Sequence, residues 1–125
     1  MLRPPIEQQI TFIYTRNFTR STQFYEEILK LTLWLDQGSC RIYQVTQDGY
    51  IGICQGNEPK NPLPGQQNNL ILTLVTQQVD QWYSYLQQEG INLENPPSFN
   101  EKYQIYHFFF RDPDGYLIEI QRFGN

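Results

Sequence analysis

Apolar positions along the chain change period twice in each half, and those changes mark the elements. From Ile10 to Thr15 the residues are apolar and β-branched, which predicts a strand ending at Arg16-Asn17. Asn17 is a good helix N-cap, and from Phe18 to Leu29 the spacing becomes helical, with Phe18, Thr22, Tyr25 and Leu29 on one stripe. Three strand-like runs follow: Thr32 to Asp36, Cys40 to Thr46 and Tyr50 to Gln55. The turn formers Gln37-Gly38-Ser39 and Gln47-Asp48-Gly49 separate them. Gly56 to Asn69, with Pro59, Pro62, Pro64 and Gly65, reads as a connecting loop.

The order then repeats. Leu70 to Thr76 predicts a strand, and Val79 to Glu89 a helix with Val79, Trp82, Tyr83 and Leu86 as its apolar stripe and Gly90 as its stop. Ile91 to Glu94 reads as a short strand, ahead of the Pro96-Pro97 loop. The segment from Ile105 to Ile120 reads as a hairpin. In Asp112-Pro113-Asp114-Gly115, Pro113 pre-sets φ and Gly115 tolerates the left-handed conformation that closes such turns. Alternation puts His107, Phe109 and Arg111 on one face of the first hairpin strand, and Leu117, Glu119 and Gln121 on one face of the second.

Both halves therefore read β-α-β-β-β, a loose duplication with an offset of about sixty residues. The expected fold class is α+β: two βαβββ modules forming a curled mixed sheet around a cleft, with helices outside. A ferredoxin-like sheet needs two strands between its helices, and this chain shows three.

Composition narrows the function. At 125 residues the chain has the length of one domain. A formal net charge of -4 with dispersed charges argues against nucleic-acid and acidic-membrane partners. No apolar run approaches the roughly 20 residues of a membrane helix, and Met1-Leu2-Arg3-Pro4-Pro5 lacks the apolar core of a secretory signal, so a cytoplasmic location is expected. Cys40 and Cys54 show neither Cys-x-x-Cys spacing nor a His-rich neighbourhood and read as buried free thiols. Aromatic residues make up 15% of the chain, many inside strands, which suits a ring-lined pocket as well as an ordinary core.

The chain resembles the vicinal oxygen chelate superfamily of glyoxalase I, bleomycin resistance proteins, fosfomycin resistance enzymes and extradiol dioxygenases. Three places carry the likeness: Thr11-Phe12-Ile13-Tyr14-Thr15-Arg16-Asn17 leading to Phe24-Tyr25-Glu26-Glu27-Ile28-Leu29, the junction from Leu74 to Asp80, and Asp112-Pro113-Asp114-Gly115 followed by Ile118-Glu119-Ile120. The resemblance implies a single domain over 1–125, with modules at about 6–56 and 69–122. It also implies a small-molecule site and a homodimer. In metal-dependent relatives a His, Gln or Glu on the first strand of each module and the glutamate of the last strand hold a divalent ion. Carried over, those positions are Ile10, Ile71 and Glu119, so only Glu119 matches a ligand. The helix-ending glycine of the family is replaced by Lys30.

Candidate site residues follow from both readings. His107 and Glu119 are the catalytic candidates, an acid–base pair if they touch. Phe12, Tyr14, Trp34 and Phe109 are candidates for stacking on a flat ligand, and Arg41 for an anion contact, being a charge on a middle strand. Three functions remain open. The first is a small-molecule-binding protein without the full metal site or any cofactor, sequestering an apolar or aromatic ligand. The second is a lyase, isomerase or dioxygenase using His107 and Glu119, with or without zinc, nickel, iron or manganese. The third is an interaction module with a filled pocket.

Overall fold

In the computed structural model, the described residues are 2–56 and 70–124; the loop expected from Gly56 to Asn69 lies outside them apart from Gly56. They fall into two compact units, one formed by residues 2–56 and the other by residues 70–124. The first unit contains β1 (Gln9–Thr15), α1 (Phe18–Gln23), β2 (Thr32–Asp36), β3 (Cys40–Gln44) and β4 (Gly49–Gln55). The second contains β5 (Ile71–Val75), α2 (Val79–Gln88), β6 (Ser98–Asn100), β7 (Ile105–Arg111) and β8 (Leu117–Phe123). The two sheets have the same order, β1-β4-β3-β2 and β5-β8-β7-β6. In each, the first and last strands of the unit are parallel and the other pairings antiparallel. This is the expected α+β architecture of two βαβββ units with mixed sheets.

Alternation decides which side chains meet the helix. On the first sheet, Ile13, Thr15, Tyr43, Ile51 and Ile53 are buried beneath the helix, where Tyr25 stacks on Tyr43 with ring centroids 6.4 Å apart. On the second, Leu72, Phe108, Phe110, Ile118 and Ile120 form the helix side, and Tyr83 meets Phe108 edge-on at 5.3 Å. Each unit clamps its helix with a tyrosine hydroxyl. Tyr43 donates to Glu26 at 2.9 Å and Tyr106 to Asp80 at 2.6 Å.

Several local expectations change. The first helix is capped as predicted, Asn17 Oδ1 accepting from the Arg20 N–H at 3.1 Å, but it passes into a π-helical segment over Phe24–Ile28. Lys30, at the helix-ending position where the resemblance implies glycine, takes the left-handed conformation itself, with φ 54°. The strand expected over Ile91 to Glu94 does not form. The Ile91 N–H is spent on the carbonyl of Leu86 at 3.0 Å, closing the helix end, and the unit's second strand, β6, begins beyond Pro97, with Ser98 opposite His107.

The two cysteines are not free thiols. Cys40 and Cys54 are directly opposed on β3 and β4 and form a disulfide, with Cα atoms 4.1 Å apart. Separate burial of two thiols gives way to a bridge because the strand register brings residues 14 apart in sequence face to face.

Candidate functional site

Each sheet has a second face, turned away from its own helix, and the sequence candidates distribute unequally between the two. In the first unit this face carries Phe12 and Tyr14 from β1, 47% and 57% exposed. Trp34 reaches it too, 46% exposed, with its ring centroid 4.8 Å from that of Tyr50. The face is apolar and aromatic. At its centre Gly52 stands opposite Phe12. A Cβ at this glycine would fall onto the Phe12 ring, 3.2 Å from Cγ and closer still to Cδ1 and Cε1. The missing side chain is what lets the phenyl ring lie across the sheet.

Arg41 is not part of that face. Strand alternation turns it to the helix side with Tyr43. There its Nη1 donates to Glu26 at 3.0 Å, its Nε lies 3.6 Å from Asp36, and its guanidinium sits 5.6 Å from the Phe18 ring centroid. The carboxylate partner that a mid-strand charge requires is thus supplied by the helix and by β2, and the structure does not bring Arg41 together with Phe12, Tyr14 and Trp34. Burial and the bond to Glu26 push the Tyr43 hydroxyl well above the usual phenol range.

In the second unit the corresponding face holds a polar centre. The aspartate turn fixes it: Asp112 Oδ1 accepts from the N–H groups of Asp114 and Tyr116, both at 2.9 Å, and Gly115 takes φ 90°. The resulting register sets Phe109 opposite Glu119 and His107 opposite Gln121. Alternation alone leaves open whether the two strand faces coincide; in this register they do, and His107, Phe109, Glu119 and Gln121 share one face. His107 Nδ1 lies 2.6 Å from Glu119 Oε2, and the His107 and Phe109 rings meet edge-on at 5.1 Å.

Sequence reasoning missed the remaining member. Thr73 on β5 is the parallel partner of Glu119, and its hydroxyl donates to Oε1 at 2.9 Å. The signal was available only once β5 and β8 were set in register. Gln121, in the amide orientation that satisfies its surroundings, donates its side-chain N–H to both carboxylate oxygens at 3.1 Å. Glu119 and Gln121 are only 7% and 6% exposed. The Glu119 carboxylate thus has hydrogen-bond partners in Thr73, His107 and Gln121, as a buried polar group requires. Such an acceptor fixes the neutral imidazole with its proton on Nδ1 and its lone pair on Nε2. Among the described residues, Nε2 has no hydrogen-bond partner.

The donor set does not fit a divalent ion. The first-strand positions are Ile10 and Ile71, neither of which can ligate, and both oxygens of Glu119 are already engaged by Thr73, His107 and Gln121. Among the described residues there is no group of three or more His, Cys, Asp or Glu side chains arranged to hold a metal.

Known proteins agree with this architecture. The chain is similar to the "Uncharacterized protein YraH" of Bacillus subtilis (strain 168), 29% identical over 121 residues that cover 88% of this chain and 93% of that one. Its fold matches the virulence protein STM3117 from Salmonella typhimurium, with a TM-score of 0.72, 24% identity, and coverage of 98% of this chain and 99% of that one. It also matches a lactoylglutathione lyase from Agrobacterium tumefaciens, with a TM-score of 0.73, 18% identity and 96% of each chain covered. The sequence profile of one family spans residues 8–120, from the start of β1 into β8; the chain belongs to the Glyoxalase/Bleomycin resistance protein/Dioxygenase superfamily.

Proposed function

We propose that this protein binds and sequesters a flat apolar or aromatic small molecule on the open sheet face of its first unit. The observation that carries this reading is the exposure of Phe12, Tyr14 and Trp34, each about half accessible on one face. Large rings left uncovered in a cluster are costly in water and mark a binding surface more often than a bare one. Gly52 strengthens the reading, since its absent side chain keeps the Phe12 ring flat against the sheet. The ligand needs no metal and no cofactor. As proposals of the same standing, the protein works as a homodimer in the cytoplasm, and gel filtration at the mass of a single chain would overturn the first of these.

Trp34 supplies the test, because Trp82 is the only other tryptophan. In a Trp82→Phe background, titration with 1-anilinonaphthalene-8-sulfonate should change Trp34 fluorescence saturably. Losing a Phe contact forfeits about 1.5–3 kcal/mol of burial, so Phe12→Ala should weaken binding by about tenfold or more. A linear, unsaturable response, or unchanged affinity in Phe12→Ala, would overturn the proposal.

A second reading is favoured by the 2.6 Å contact of His107 with Glu119. With Nδ1–H directed at the carboxylate, Nε2 is a base of fixed direction, the arrangement used for proton transfer in lyases and isomerases. His107→Gln should then abolish turnover of any substrate found while leaving dye binding at Phe12 unchanged. Full activity of that variant would remove the enzymatic reading.

A further inference from the structure

The sheet duplication sets an unexpected pair of positions side by side for comparison. Gly52 opposes Phe12 as Glu119 opposes Thr73. Two residues further along the same strands stand Cys54 and Gln121, paired with Cys40 and His107. The Cys40–Cys54 bridge thus occupies, on the first open face, the place that His107 and Gln121 occupy on the second.

Three features bear on what the bridge does. First, β3 and β4 are paired at five consecutive positions, from Cys40 opposite Cys54 to Gln44 opposite Tyr50. The strands are held by their backbone ladder and by buried Ile42 and Ile53, so the bridge joins what is already adjacent and its opening leaves the sheet in place. Second, the two sulfurs differ in access. Cys54 is 5% exposed, whereas Cys40 is only partly covered and follows the turn at Gly38, around which there is open space. Third, Cys54 is the β1 register partner of the exposed Tyr14, so the bridge borders the aromatic face. The chain has no other cysteine, and a reduced pair has only itself to re-pair with.

We propose that Cys40–Cys54 is a reversible thiol–disulfide exchange site for a low-molecular-weight monothiol, entered at Cys40. The thiolate attacks the Cys40 sulfur; the Cys40–Cys54 bond breaks, and Cys54 leaves as a thiolate and takes a proton. A second monothiol attacks the outer sulfur of the mixed disulfide, releasing Cys40 as its thiol and the small-molecule disulfide. Two electrons and two protons pass to the protein, and two monothiols are oxidised to one disulfide. Access selects the sulfur attacked.

Reduced and oxidised glutathione are the probes. Wild-type protein equilibrated at graded ratios, acid-quenched and alkylated should show by mass spectrometry a reversible transition between zero and two free thiols. Far-UV circular dichroism should stay native throughout. With oxidised glutathione, Cys54→Ser should acquire one glutathione at Cys40 at least tenfold faster than Cys40→Ser acquires one at Cys54. If neither variant folds, peptide mapping of the mixed disulfide trapped on wild type gives the same information and should place it at Cys40. Reduction that occurs only as the native spectrum is lost, failure of the reduced protein to re-form the bridge, or a mixed disulfide equally at both positions would overturn the proposal.

Discussion

Replacing Glu119 by glutamine tests the polar centre at its most specific feature, the proton on His107. In the wild-type protein Nδ1 faces an anionic oxygen at 2.6 Å, in a side-chain environment only 9% exposed for the glutamate and 14% for the histidine. A hydrogen bond to a charged group is worth about 1.5–3 kcal/mol net. At about 1.4 kcal/mol per factor of ten, the neutral ring should favour the Nδ1–H tautomer by about tenfold to about a hundredfold. In Glu119→Gln the amide oxygen still accepts, but as a neutral group worth about 0.5–1.5 kcal/mol, so the preference should fall by about tenfold. Thr73 and Gln121 can both reverse their roles and accept from the new amide, which keeps the substitution tolerable to the fold. Because the chain contains a single histidine, a long-range proton–nitrogen correlation spectrum of labelled protein in alkaline buffer shows one imidazole pattern without assignment. A wild-type ring protonated on Nε2, or a tautomer ratio unchanged by Glu119→Gln, would refute the reading of His107 as a base directed outward.

Three other outcomes are expected. Gly52→Ala places a methyl where the Phe12 ring lies; overpacking of this kind costs about 1–3 kcal/mol, and urea melts should show it together with weakened dye binding. Replacing both Cys40 and Cys54 by serine removes a cross-link between residues 14 apart, for which chain entropy predicts a loss of about 3 kcal/mol; an unchanged denaturation midpoint would contradict this. Finally, of the nine tyrosines, Tyr43 and Tyr106 should ionise late in an alkaline absorbance titration, the first held protonated by burial and its bond to Glu26, the second by its bond to Asp80. The folded state keeps the Tyr43 proton more tightly than the unfolded chain, so its contribution is complete below about pH 10 and declines as pH rises beyond; Tyr43→Phe should flatten that alkaline decline.

The C-terminal hairpin was legible because a turn with its own chemistry marks where the strands reverse, but counting alone left its faces open: a two-residue turn on Pro113-Asp114 would set Phe109 opposite Ile118. What pins the register is Gly115 joining the loop, with the Asp112 N–H bonding the Tyr116 carbonyl at 3.0 Å, which sets Phe109 opposite Glu119; before that, only the resemblance implied that His107, Phe109 and Glu119 share a face. The β3–β4 hairpin has no such pin. A turn confined to Gln47-Asp48-Gly49 would set Thr46 opposite Tyr50 and Cys40 opposite Gly56. In the structure the chain turns earlier, the N–H groups of Val45 and Thr46 both bonding the Gly49 carbonyl at 2.8 and 3.2 Å. Gln44 then stands opposite Tyr50, and Cys40 slides opposite Cys54. A shift of two residues leaves every face assignment intact, so the hydrophobic pattern could not report it. The direction of Arg41 was hidden for a related reason: Ile42 and Tyr43 are both buried apolar residues on alternate faces, and the pattern does not say which of them lies beneath the helix.

The duplication also explains why the two open faces diverged as sets of residues. On the first sheet a large ring from β1, Phe12, lies across the neighbouring strand and requires glycine at the position opposite. On the second sheet the β1 equivalent is Thr73, short enough to leave room for Glu119 and polar enough to donate to it. Neither pair survives a one-sided exchange. A glutamate facing Phe12 would collide with the ring and lose its donor, and a phenylalanine facing Glu119 would strip a buried carboxylate of the Thr73 hydroxyl, which costs more than the bond itself contributed. The change from Phe–Gly to Thr–Glu is therefore a coupled one, and it assigns the two proposed readings to different units: contact area for a flat ligand to the first sheet, an oriented proton acceptor to the second.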